Sequence, residues 1–149
     1  MKILSFLSIS FISTVMLFFS MSTSADGGGG SYVTSLPDSI SSLVENEQFA
    51  EAVPELKKFV RQERNNADAW NLLGYSQRKI GMLDKSLRSY RKALSLDPQH
   101  LGAHEYLGEL YLMMNKPEKA KKQLKKLRRY CGDCEQAEEL SEAIEKYVG

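Results

Sequence analysis

At 149 residues and 42% apolar content, the chain can close one hydrophobic core but not two. Its 20 Lys and Arg against 19 Asp and Glu become formally neutral once Lys2 is set aside with the leader described next. Neutrality excludes a general polyanion binder, and with it nucleic acid as a partner class.

Residues 1–25 carry one charge, Lys2, followed by an apolar run from Ile3 to Met21 and the small residues Ser22-Thr23-Ser24-Ala25. This pattern predicts a secretory signal peptide cleaved after Ala25, and so an exported chain, periplasmic or secreted. The run is nearly long enough to span a bilayer. Its serines Ser5, Ser8, Ser10 and Ser13 and its small-residue exit favour cleavage, which leaves no stable membrane span. No Cys follows the run, which argues against a lipid anchor. Residues 26–32 open with Asp-Gly-Gly-Gly-Gly-Ser and read as a flexible leader.

From Val33 onward the chain repeats with a period of 34 residues. Leu73 falls on Leu107, Gly74 on Gly108, Lys85 on Lys119, and Gly81 on Asn115, the two residues best suited to a left-handed turn. Such a period signals stacked helix–turn–helix units. The first unit, 33–66, is degenerate: Leu36, Leu43, Ala52, Leu56 and Phe59 hold the register, but Ser39-Ile40 stand where Leu73-Gly74 stand later. Pro54 falls inside its second helix and is expected to kink it or delay its start.

The second unit, 67–100, puts Trp70, Leu73, Gly74, Gln77 and Ile80 on one helical face. Leu83, Leu87, Tyr90, Ala93 and Leu94 form the matching face of its partner, which Asp97-Pro98 ends. The third unit, 101–132, repeats this with His104, Leu107, Gly108 and Tyr111, then Ala120, Leu124 and Leu127. A last helix over 133–148, capped by Asp133 with Gln136 reaching back, carries Ala137, Leu140, Ile144 and Tyr147 and should cover the open end. Residues 116–129 hold eight basic groups and 133–146 six acidic ones. The basic groups lie opposite Ala120, Leu124 and Leu127 and read as a solvated helix side.

Trp70-x-x-Leu73-Gly74, Tyr90, Ala93 and Pro98 resemble the signature of the tetratricopeptide-repeat family, and the leader and Cys-bearing cap resemble its small exported bacterial members. The expected fold class is all-α: a short α-solenoid of three helix pairs plus a C-terminal capping helix, the 33–149 domain. The resemblance implies a non-catalytic scaffold binding a protein or peptide in a concave groove. The first helices of the pairs line that face, which nominates Asp68, Asn71, Tyr75 and Arg78, with Glu105, Glu109 and Leu112 beside them. The carboxylate clamp of the family's chaperone-binding members is absent: its places hold Pro37, Ser41, Leu72, Gly102 and Tyr106.

No nucleophile–base pair or phosphate-cradling loop marks an enzyme, and no cofactor is expected. Cys131-Gly132-Asp133-Cys134 is not a haem site, because Glu135 follows where His is required. In an exported chain the pair is expected to form a local disulfide. The alternative is a metal or redox accessory protein using Cys131 and Cys134 with His100 and His104, which lie one helical turn apart. Against it, His104 takes the place of Trp70 and is expected in the core. Met82, Met113 and Met114 read as core or groove lining.

Overall fold

A computed structural model describes residues 35–148; the expected signal peptide and leader lie outside the described residues. Seven helices follow in order: α1 (Asp38–Glu45), α2 (Phe49–Gln62), α3 (Ala67–Lys79), α4 (Leu83–Leu96), α5 (Leu101–Met113), α6 (Pro117–Cys131) and α7 (Glu135–Val148). There is no strand among the described residues, so the all-α solenoid expectation holds. No helix among them is long and apolar enough to cross a membrane.

Local chemistry sets where the helices begin and end. Asn66 opens α3 by accepting the Ala69 amide on its side-chain oxygen at 2.9 Å. His100 does the same for α5, its Nδ1 taking the Ala103 amide at 3.2 Å. Pro117 starts α6, where its missing donor costs nothing. Each pair turns through one left-handed residue: Glu47 (φ 57°), Gly81 (φ 77°) and Asn115 (φ 56°). The hydrogen bonds recur with it. The Gln48, Met82 and Lys116 amides reach back to the carbonyls of Leu43, Gln77 and Tyr111, each at 2.8 Å. The degenerate first unit thus keeps the turn although its sequence has lost the glycine.

Two apolar clusters fill the stack. Ile40, Ala52, Val53, Leu56, Phe59, Val60, Ala69 and Leu73 join α1, α2 and α3. Tyr90, Leu107, Leu110, Ala120, Leu127, Ala137, Leu140 and Ile144 join α4 to α7. Trp70 is half-buried at the edge of the first cluster, its Nε1 donating to the Arg64 carbonyl at 3.0 Å.

Two local expectations need correction. Pro54 does not delay α2, which runs unbroken from Phe49 to Gln62. Pro54 points to solvent while Ala52, Val53 and Leu56 face the core, so its missing amide lies on the side where water can satisfy the freed carbonyl. Asp133 is not the cap of α7: the helix starts at Glu135, and the Cys134 carbonyl receives the Ala137 and Glu138 amides. The basic side chains Lys121, Lys122, Lys125, Arg128 and Arg129 are exposed along α6, as the wheel requires.

Candidate functional site

The first helices of the pairs form one face, and α7 continues it. Here α3 meets α5 and α5 meets α7, while α2, α4 and α6 on the other side make no comparable contact with one another. One side is therefore drawn together and the other splayed, which makes the α3–α5–α7 face the concave one.

Steps of 34 residues place Asn71, Glu105 and Glu139 in one row along this face, and Tyr75, Glu109 and Ala143 in the next. At its centre the Arg78 guanidinium lies 5.5 Å from the Tyr75 ring centre and 5.7 Å from that of Tyr106. The two rings are 5.0 Å apart, and Phe49 meets Tyr75 edge-on at 5.5 Å. Arg78 Nη2 pairs with Glu109 Oε2 at 2.5 Å, with side-chain exposures of 13% and 28%. The pair is half-desolvated and held by aromatic planes on two helices.

Burial disturbs protonation here. Burial opposes the Arg78 charge, but Tyr90, Glu109 and Tyr75 outweigh it and hold the guanidinium above its usual value. Burial raises the Tyr90 hydroxyl well above the ordinary tyrosine range, with Arg78 opposing. Glu105 is pushed up to about 9, first by burial, then by its hydrogen bond to Glu139 and the charges of Glu139 and Glu109. At neutral pH it is a carboxylic acid, able to donate as well as accept. Tyr106 is raised to about 12 by burial and by Glu105.

The nominated residues are not all where a solvated stripe would put them. Tyr75, Arg78, Glu105 and Glu109 come together. Asp68 stands at the edge, its side chain 80% exposed and 3.1 Å from His100 Nε2. Asn71, Glu105 and Leu112 are buried, so they form the floor of the face instead of its surface. Gly102 accommodates Asn71, whose amide nitrogen would lie 3.4 Å from a Cβ at that position.

Tyr106, Glu139, Lys146 and Tyr147 were missing from the sequence-based set. Leu112, Met113, Ala143, Lys146 and Tyr147 line an open depression beside Glu109, and Tyr147 donates its hydroxyl hydrogen bond to Asn115 Oδ1. Carrying the repeat one step further, from Glu105 to Glu139, would have found this extension of the face into α7.

The His and Cys residues are engaged locally. His104 is buried, with Nδ1 2.8 Å from Gln123 Oε1 and Nε2 3.0 Å from the Pro98 carbonyl, and its ring lies against Tyr130. His100 caps α5 and faces Asp68. The Cys131 and Cys134 sulfurs lie 2.05 Å apart, at bonding distance. The proposed four-residue ligand set is thus not assembled, and no group of three or more His, Cys, Asp or Glu among the described residues could hold a metal ion.

Two profiles described as tetratricopeptide repeat match residues 67–100 and 89–122. Superkiller complex protein 3 of Mus musculus is 32% identical over 72 residues, covering 48% of this chain and 5% of its own. Protein FlbA of Caulobacter vibrioides is 34% identical over 79 residues, 53% of this chain and 13% of its own. The chain therefore spans only a small part of the curated relatives it matches. Among solved structures, YrrB, described as a TPR protein with an unusual peptide-binding site, superimposes with a TM-score of 0.65 at 28% identity, over 69% of this chain and 53% of its own. MamA of Desulfovibrio magneticus RS-1 gives 0.61 at 25%, over 62% and 52%. The Yersinia enterocolitica type III secretion translocator chaperone SycD shares the fold alone: 0.65 at 14%, over 74% and 84%.

Proposed function

We propose, for a chain that belongs to the tetratricopeptide-repeat family, an exported non-catalytic scaffold that binds a protein partner through a peptide segment laid along α3, α5 and α7. The observation that carries this reading is the cluster of Tyr75, Arg78, Tyr106 and Glu109. Two rings in contact, an arginine and a carboxylate are already fixed in place, so little side-chain entropy remains to be lost when a peptide docks. Arg78 donates to peptide carbonyls, Glu109 and Glu139 accept from peptide amides, and the Leu112–Ala143–Tyr147 depression takes an apolar side chain. YrrB, similar in fold and described as having a peptide-binding site, supports a peptide as the ligand class.

Export is part of the proposal and rests on residues 1–25. In an oxidising compartment Cys131 and Cys134 form a disulfide that ties the end of α6 to the start of α7, a reading their sulfur separation supports. Affinity capture from the exported fraction tests the whole. The expected result is a defined partner retained by the native chain and lost with Tyr75→Ala combined with Arg78→Ala. Equal capture by the double variant overturns the groove, a mature chain that still begins at Met1 overturns cleavage, and a chain found only in the cytoplasmic fraction overturns export.

A further inference from the structure

The opposite side of the stack, built by α2 and α4, carries a cavity of about 460 Å³. Trp70, Leu73 and Val60 give it an apolar floor. Its banks are cationic: Lys57 and Arg61 on α2, Lys85, Arg88 and Lys92 on α4, with no carboxylate among the lining residues.

The seam between α4 and α6 follows the same plan 34 residues later, with larger side chains at two of three positions and a smaller one at the third. Gln77 is replaced by Tyr111, Ser89 by Gln123 and Trp70 by His104. These three replacements are buried, with His104 tied to Gln123 and its ring tilted against Tyr130. In the α2–α4 seam the polar groups are instead satisfied among themselves. Ser89 Oγ donates to Gln77 Oε1 at 2.8 Å, and Trp70 Nε1 donates to the Arg64 carbonyl at 3.0 Å. What remains open is the apolar surface of Trp70 and its neighbours, framed by positive charge.

We propose that this seam is a second docking site, which takes an acidic peptide segment inserting one bulky apolar side chain against Trp70. Charge complementarity selects the occupant. Lys85 and Lys92 stand two turns apart on α4, roughly 10 Å along the axis at 1.5 Å per residue, and Lys57 and Arg61 face them from α2. A single carboxylate cannot serve both banks, whereas several along an extended chain can. The floor has room for one large side chain, and burying it supplies the affinity that the screened surface charges do not. The site shares α3 with the groove but uses its other side, with Trp70, Leu73 and Gln77 in place of Tyr75 and Arg78, so variants can separate the two.

Trp70 is the only tryptophan of the chain and reports on its own site. The blocked peptide Asp-Glu-Phe-Glu-Asp is titrated into the purified protein at low salt, following Trp70 emission and heat of binding. Saturable binding is expected, at least tenfold tighter than for the same peptide with Gly in place of Phe, or with Asn and Gln in place of its acids. Gln77→Tyr combined with Ser89→Gln, which copies the filled seam, is expected to weaken binding at least tenfold. Arg88→Ser with Lys92→Ser, confined to the rim, does the same with an unchanged circular dichroism spectrum. Equal binding of the neutral peptide, full binding by the rim variant, or no saturable binding overturns the proposal. So does tighter binding of a single-stranded oligonucleotide, of phosphatidylglycerol vesicles or of 3-phenylpropionate.

Discussion

The first and second helix pairs solve one packing problem in opposite ways. Where α3 crosses α4, Gly74 turns bare backbone toward Tyr90, and a Cβ there would sit 2.7 Å from two atoms of the ring. At the same point of the first pair Ile40 replaces Gly74 and Leu56 replaces Tyr90, and both are buried. Bulk has moved from the second helix of the pair to the first. What the repeat conserves in space is filled volume between two helices, not the residues that fill it. The sequence signature records one division of that volume.

The strongest way to break this comparison is to add a methyl group where bulk is already spent. Gly74→Ala forces a Cβ into a ring that Arg78 and the core hold on all sides, and ring carbons cannot swing away. Overpacking costs about 1–3 kcal/mol, and the better helix propensity of Ala returns about 1 kcal/mol at most. A net loss of about 1 kcal/mol is expected in urea unfolding. Tyr90→Leu, which imports the first pair's partner, should make the added methyl nearly neutral. An equal cost in both backgrounds would show that the two residues do not share volume. Gly108→Ala sharpens the point. Its Cβ would meet Leu140 at 2.5 Å, but the atoms in the way are the methyl tips of a flexible side chain, so a smaller loss is expected.

The row through Asn71, Glu105 and Glu139 allows a second contrast, between a neutral residue in the second pair and a carboxyl in the third. Glu105 has Glu139 and Glu109 against its ionised form and Arg78 in its favour, and the net effect with burial lifts it to about 9. The folded state therefore binds a proton that the unfolded chain, titrating near 4.5, has already released at neutral pH. Its contribution to stability is fully present below pH 4.5 and is lost as pH rises toward 9. Glu105→Gln should flatten this part of the stability–pH curve between pH 5 and 9. A variant whose urea midpoint falls with pH as steeply as the parent's would place the titrating group elsewhere.

These contrasts also show what the sequence could and could not reveal. Leu73, Gly74, Tyr90 and Ala93 recur with their period, so helix pairs and their buried faces were legible directly. The site was legible only in part. A helical wheel measures angle from the core of one pair, and it put Asn71, Glu105 and Leu112 at the surface. Packing of α3 on α5 and α5 on α7 covers that side, and this inter-pair contact is invisible to a single-helix argument. Tyr106 fills a place of the absent clamp, yet its ring is one of the two that flank Arg78. Among the acids of α7, Glu139 continues the row of Glu105.

The smallest effect tests the turns. Glu47, Gly81 and Asn115 share a left-handed backbone and the same reach-back hydrogen bond, so the geometry is held constant while the side chain varies. A Cβ in that conformation costs about 1–2 kcal/mol, less for Asn, whose short polar side chain tolerates it. Glycine relieves that cost but gives the unfolded chain more freedom, returning about 0.5–1 kcal/mol. Glu47 is exposed, so its replacement removes no packing. Glu47→Gly should therefore stabilise the chain by about 0.5–1 kcal/mol, and Asn115→Gly should change it little. Gly81→Glu, the reverse exchange, should destabilise by a similar amount to the first gain. If Glu47→Gly instead weakens the fold, the first turn depends on the Glu47 side chain and not only on backbone geometry, and the three turns are then equivalent in shape but not in what holds them.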